Sequence, residues 1–268
     1  FLLRTCAHVV GLEFDAAGDV SAAVLANGER LRADAYVLAA GAVNSARILL
    51  ASGAGQRNDL VGANYMAHLS TTGIARFRRE HGVTFAKTFG SNEWCRPEAP
   101  PKERFGSIQT QGKWDSTQYR LEPWTKTLGE PDTLAARGIE FFCMTEDLPL
   151  RENRIRLEGD GLSLHRELSN TELHQNLLKR LAAELAKTPD FEDFAWQMMP
   201  IDWCTHQCGT LAFGEDPRDS VLDPMCRMHG STNLHVTDAS CFPSSTALNP
   251  TLTIIANALR VGEALANP

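Results

Sequence analysis

No apolar run in this 268-residue chain approaches the roughly 20 residues a membrane-spanning helix needs. The opening stretch, FLLRTCAHVVGLEF, has no basic region leading into a long apolar segment and no small-residue cleavage site. It therefore does not read as a signal peptide. Positive charge is not in excess either. Lys and Arg number 26 against 33 Asp and Glu, for a formal net charge of −7, and the basic residues are scattered. That argues against nucleic acid or an anionic membrane as the main partner. The seven cysteines are odd in number and widely spread, which argues against a disulfide scaffold and leads us to expect a cytoplasmic protein. Cys204, His206 and Cys208 alternate, but zinc ligands usually come as two pairs and no convincing second pair follows, so no metal is expected. No internal repeat or low-complexity segment is evident.

What remains is an ordinary globular composition, long enough for a substantial core. Residues 5–14 and 20–26 read as strands, with Asn27-Gly28 a strong hairpin signal. Residues 36–40, YVLAA, form a continuous apolar run, expected of a strand buried on both faces. Gly41 ends it, and Asn44 or Ser45 is placed to cap a helix over 46–52. Residues 69–77 read as a strand entering a second region, and 78–104 as a long surface loop or lid. Further strands are expected at 105–111, 139–145, 154–158 and 162–166, with a turn at Gly159-Asp160-Gly161. Ser169 and Glu172 form a capping box for a helix with Leu173, Leu177, Leu181 and Leu185 on one face, and His165 and His174 read as surface or packing residues.

The last quarter carries the chemistry. Asn249 suits an N-cap and Pro250 the first helical position. The following helix is so apolar that it is expected to be buried on most sides, with free N–H groups and partial positive charge at its start. His206 lies in the polar stretch Thr205–Thr210. A lone histidine there is either a hydrogen-bonded structural residue or an imidazole that moves protons near neutral pH.

Four blocks in order, HQCGT, FGEDPRDSVLD, NLHVTDASCFPSS and NPTLTIIANALR, resemble the C-terminal signature of the glucose–methanol–choline (GMC) flavoprotein oxidoreductases. AYVLAAGAVNSARILLASG and LVGANYMAHL are similar to earlier parts of that family, whereas residues 70–200 match only loosely. The resemblance implies an α/β protein, α+β overall. Part of a Rossmann-like FAD-binding domain (1–68 and 201–268) would flank an antiparallel-sheet substrate domain with helices (69–200). It implies FAD-dependent oxidation of an alcohol, sugar or polyol by hydride transfer to the flavin, with His206 as base and Asn249 assisting. Ala40, Gly41 and Ala42 would lie near the FAD, Val10 near its adenine, and Asp238 and Ala239 near the ribityl and pyrophosphate. Pro250 and Thr251 would bring the helix N-terminus to the flavin ring. A turn-capping role is the plain alternative for Asp238. His68 would be a cofactor neighbour, and Arg227 and His229 structural.

The G-x-G-x-x-G turn that lets a backbone approach a dinucleotide pyrophosphate is not found here. A companion N-terminal chain or fragment carrying it is therefore expected. The competing readings are a family member for bulkier alcohols such as sterols, or a non-catalytic flavin-binding or assembly subunit.

Overall fold

The computed structural model describes residues 2–267 apart from 82–86, 88, 97, 99, 101–102, 160 and 204. It is a mixed structure of helices and largely antiparallel sheet. The first three strands, β1 (Val9–Phe14), β2 (Val20–Leu25) and β3 (Arg30–Leu31), form an antiparallel sheet. Two polar turns set its register. The Asp15 carboxylate accepts from the N–H groups of Ala17, Gly18 and Asp19, and Gly28 takes a φ of +84° that glycine adopts without strain. Strand β4 (Tyr36–Leu38) then leads through Gly41 into α1 (Ala42–Ala51).

Next come β5 (Leu69–Phe77), β6 (Gly90–Ser91), β7 (Ser107–Thr110), α2 (Ser116–Leu121), α3 (Pro131–Arg137) and β8 (Gly138–Thr145). They are followed by the hairpin β9 (Arg154–Glu158) and β10 (Gly161–His165), then α4 (Thr171–Leu185), β11 (Phe191–Met198), β12 (Leu234–Val236) and α5 (Thr251–Ala266). Strands β11, β5, β8, β7 and β6 make one antiparallel sheet in that order, and β12 returns to pair in parallel with β4.

Alternation along the five-stranded sheet assigns its two faces. Ala75, Phe77, Ile108, Phe141, Cys143 and Phe194 pack against Leu177, Leu178 and Leu181 of α4. Burying each such leucine removes its apolar surface from water, worth about 1.5–3 kcal/mol. The opposite face carries Gln109, Phe142, Thr72 and Gln197 in one transverse row, because these four positions are register partners across β7, β8, β5 and β11. This face meets the segments around His206 and Asn249. A second core joins α1, β4, β12 and the loops between them, through Ile48, Leu49, Leu38, Leu211 and Leu234.

Several expectations change. Helix α1 begins at Ala42, four residues early, because Gly41 at φ +85° makes the turn itself and no side chain caps it. Val37 of β4 is 49% exposed, so that strand is not covered on both faces. The Ser169 capping box does not form. Its hydroxyl donates to Asp147 and accepts from the Leu148 N–H, and α4 opens after Asn170 in a left-handed conformation. His174 is a deeply buried packing residue, its ring nitrogens bonded to the Thr71 and Thr145 hydroxyls at 2.6 and 2.9 Å. Asp115 forms the reciprocal capping box with Gln118, at the start of α2. Helix α5 is the largest departure. Only Val261 is buried, while Leu252, Ile255 and Leu259 are 80%, 52% and 70% exposed. Its apolar character is real, but nothing among the described residues covers most of it. The Asp160 turn and Cys204 lie outside the described residues, as does part of the 78–104 loop.

Candidate active site

An antiparallel bridge brings the two imidazoles together. Met66 and Cys208 exchange both backbone hydrogen bonds, at 2.9 and 3.0 Å. His68 lies two residues beyond Met66 and His206 two residues before Cys208, so the antiparallel register sets them facing each other on one side. Their rings meet edge to face with centroids 5.0 Å apart. Gly209 lets the bridge close: at φ +89°, a Cβ there would stand 2.4 Å from the Asn64 carbonyl oxygen. His206 itself holds φ +66°, a left-handed conformation that costs a non-glycine residue on the order of 1–3 kcal/mol and that clusters at functional sites.

Asn249 arrives on a loop whose residues are fastened one after another. The Ser245 hydroxyl accepts from the Asp147 N–H at 2.9 Å. Ser107 donates to the Ala247 carbonyl, and His68 Nε2 contacts the Leu248 carbonyl at 3.1 Å. Gln109 Nε2 then donates to Asn249 Oδ1 at 3.1 Å, and Asn249 Nδ2 donates to His206 Nε2 at 3.2 Å. The Gln109 bond decides which way the Asn249 amide points, and so presents its N–H to the histidine. Helix α5 begins one residue later than expected, at Thr251, with no side-chain cap. The Asn249 side chain faces His206 in place of capping the helix, and the N–H groups of the first turn are left for another partner.

The surroundings disfavour the charged form of both imidazoles. Burial, and then the nearby Lys87 charge, hold His206 below the ordinary histidine range. Burial, and then the His206 ring, bring His68 down to about 4. With Asn249 donating to Nε2, the His206 proton sits on Nδ1, which is buried without a partner among the described residues. Phe142 closes one side, its ring centroid 6.5 Å from that of His206, with Lys87 Nζ 5.7 Å above the phenyl ring. A neutral, partly desolvated imidazole beside an amide donor can accept a proton from a hydroxyl and orient that hydroxyl's oxygen.

The expected cofactor residues gather at a second point. The buried Asp238 carboxylate accepts from the Gly41 N–H at 3.0 Å, from the Ser45 hydroxyl, and from both the N–H and hydroxyl of Ser240. Ser45 in turn accepts from the Ala40 N–H at 3.1 Å. Residues 40–42 and 238–239, far apart in sequence, are thus one unit at the ends of β4 and β12. The capping role that was the plain alternative for Asp238 is what these contacts provide. Val10 lies apart from this unit, on β1 in the three-stranded sheet. Pro250 is buried and Thr251 exposed, at the start of α5. Arg227 pairs with Asp223, and His229 meets the Ser220 hydroxyl and the Gly214 carbonyl, contacts of a structural kind.

Gln109 and Phe142 were not found from the sequence. They belong to strands whose alternation gives a face but not the loop opposite it. The pairing of His68 with His206 was missed as well, since an isolated two-residue bridge leaves no periodic signal. Replacing Gln109 by leucine removes the bond that aims Asn249. A loss of about 1 kcal/mol, roughly fivefold in turnover, is expected, with cofactor content unchanged. Steady-state kinetics beside flavin quantitation checks it.

Two family models of GMC oxidoreductases match the chain, over residues 3–70 and 150–258, together more than half of it. The chain belongs to the GMC oxidoreductase family. The second match reaches back to residue 150, further than the motifs themselves. The chain is 28% identical to 6'''-hydroxyparomomycin C oxidase of Streptomyces lividus, over its whole length and 52% of that protein. It is also 28% identical to paromamine 6'-oxidase of Streptomyces fradiae, over 88% of the chain and 46% of that protein. Among solved structures, pyridoxine 4-oxidase from Mesorbium loti shares the fold, with a TM-score of 0.67 at 19% identity, over 97% of this chain and 57% of that one. The chain spans about half the length of the curated relatives it matches.

FAD is the cofactor that goes with this family. The residues present fit it. The first turn of α5 offers uncapped N–H groups beside Asn249, and at Gly41 no atom lies within 4 Å of the place a Cβ would take. Among the described residues no three His, Cys, Asp or Glu side chains are grouped to hold a metal ion, and no helix is long and apolar enough to cross a membrane.

Proposed function

We propose that the protein oxidises an alcohol carbon of a sugar or polyol. FAD, when bound, supplies the hydride acceptor. His206 Nε2 takes the hydroxyl proton, displacing the Asn249 N–H from that nitrogen, and Asn249 turns this donor to the substrate oxygen. His68 holds the Leu248 carbonyl and the edge of the His206 ring, so base and amide keep their spacing. Phe142 covers one side of the imidazole. The observation that carries this reading is the Gln109–Asn249–His206 chain of side-chain hydrogen bonds. Relatives that include a pyranose 2-oxidase of Tricholoma matsutake and a fructose dehydrogenase large subunit of Gluconobacter japonicus favour sugars over sterols, and a purely structural subunit has no use for such a chain.

Residues 1–68 and 201–268 are taken as part of the flavin-binding domain and 69–200 as the substrate domain. Ala40–Ala42, Asp238–Ala239 and Asn249–Thr251 are assigned to FAD, with Val10 near the adenine. Leu252, Ile255 and Leu259 of α5 form an apolar face beside this assigned site. We assign its cover to the polypeptide that supplies the glycine-rich turn, whether in the same protein or a companion chain. The six described cysteines are free thiols, which suits the reducing cytoplasm we assign to it.

The test is anaerobic mixing of the full-length, FAD-loaded enzyme with a panel of sugars and alcohols. Bleaching of the flavin by sugars in wild type, slowed about 10²–10³-fold in Asn249→Ala, is the expected result. An Asn249→Ala enzyme changed only in substrate affinity makes Asn249 a binding residue and removes it from the chemistry.

The pH profile has a definite sign. Protonated His206 cannot act as base, so turnover falls as pH drops through a value below the ordinary histidine range. Lys87→Met removes one of the two causes of that depression and is expected to move this limb upward in pH, with burial keeping it below an exposed histidine. A limb that stays in place in the Lys87→Met profile assigns it to another group.

A further inference from the structure

The sheet face that carries the His–Asn site continues into a second cavity. It has a volume of about 410 Å³, within the roughly 300–1,000 Å³ of small-molecule sites. Trp114, Trp124 and Trp203 line it, with Thr72, Gln111 and Gln197 between them. Gln111 Nε2 donates to the Thr72 hydroxyl at 3.1 Å, which leaves the Gln111 carbonyl turned to other donors. Among the described residues, Glu122 is the one ionisable lining side chain, and it makes no ion pair with them. Among the described residues, no Lys, Arg or His lines the cavity.

This is a selective set of groups. Indole faces match the C–H faces of a sugar ring, and amides and hydroxyls match its rim. An acidic residue in a lining that also holds three tryptophans, with no cation among the described residues, favours a positively charged substituent, since an ammonium gains both an ion pair and the negative face of a ring. A phosphorylated or carboxylated ring would meet Glu122 with like charge.

The location fixes how such a ring relates to the reaction. Thr72 and Gln197, which line the cavity, are the register partners that continue the row from Gln109 and Phe142. At about 4.8 Å between strands, Gln109 and Gln197 stand roughly 14 Å apart, with the cavity at the far half of that span. One pyranose ring does not cover both. Resting on the reading of His206 and Asn249 given above, we infer that this cavity is a second subsite, which takes the neighbouring ring of an aminated disaccharide or a larger amino sugar and holds its ammonium group at Glu122.

Binding tests this directly. The full-length enzyme, reduced with dithionite so that no turnover intervenes, is titrated with the β-1,4-disaccharide of glucosamine, with its N-acetylated form and with cellobiose. The readout is indole fluorescence and calorimetry. The glucosamine disaccharide is expected to bind about tenfold more tightly than the N-acetylated form, as a charge-assisted contact in a partly dry site allows. Glu122→Gln is expected to abolish that difference, and Trp124→Ala to weaken all three about tenfold. Equal affinity for the amine and its N-acetylated form overturns the inference, as does a Glu122→Gln enzyme that keeps the preference or a wild type that binds none of the three. Should Trp124→Ala fail to fold, Glu122→Gln still decides. Wild-type turnover in a His206 variant would remove the reading of the His–Asn site, and the amine preference would remain measurable on its own.

Discussion

Replacing His206 by alanine is expected to lower turnover about 10²–10⁴-fold, the usual contribution of a general base, with FAD still bound. The size follows from what the imidazole does alone. Among the residues that touch one another here, His68 is held at a pKa of about 4 with its Nε2 against the Leu248 carbonyl, and Asn249 has no basic nitrogen. Neither of these two can take over the proton. His206 also sits at φ +66°, where alanine is strained. His206→Asn is therefore the companion variant, because asparagine tolerates that conformation. Both variants slow to a similar degree with the same flavin content if the loss is chemical. A slow alanine variant beside a fast asparagine variant would trace the loss to backbone strain.

The second large effect concerns stability. Asp147 is wholly buried and accepts from Arg166 at 2.9 Å, from the Ala67 N–H at 3.1 Å and from the Ser169 hydroxyl. Arg166 also donates to the Ala67 carbonyl at 2.8 Å, directly before His68. This pair fastens β8 and its following loop to the segment that carries His68, and the Ser245 hydroxyl ties the Asn249 loop to the backbone of the same aspartate. Arg166→Met strands a buried carboxylate and is expected to cost about 3–5 kcal/mol. The double variant Arg166→Met with Asp147→Leu is expected to recover a large part of that loss, because removing both charges leaves none uncompensated. Denaturant unfolding of the three proteins measures both effects. An Arg166→Met protein within 1 kcal/mol of wild type would show that solvent reaches the pair.

Much of the fold was legible because strands announce themselves locally. Residues 69–77 and 154–158 lie where alternation and turn residues put them, and the hairpin at Asn27-Gly28 follows from the one residue type that takes a positive φ freely. Helix starts were less legible. Asn249 and Ser169 look like caps, yet each has a stronger partner across the molecule: His206 for the first, Asp147 for the second. The apolar sequence of α5 was legible as apolar but not as exposed, since hydrophobicity marks a surface that wants cover and not the chain that gives it. His206 and Asn249 could be singled out through the family motif. Their contact depends on the Met66–Cys208 bridge and on Gln109, which are tertiary facts. The three tryptophans of the second cavity, 114, 124 and 203, come from separate segments whose convergence no local pattern records.

The most direct test of the central claim is the rate of anaerobic flavin bleaching by a sugar substrate, followed across pH in wild type and His206→Asn. The expected result is a single lower limb in wild type, below the ordinary histidine range, and a slow, pH-independent rate in the variant. A variant that keeps both the rate and the limb would show that another group takes the proton, and the Gln109–Asn249–His206 chain would then be architecture alone.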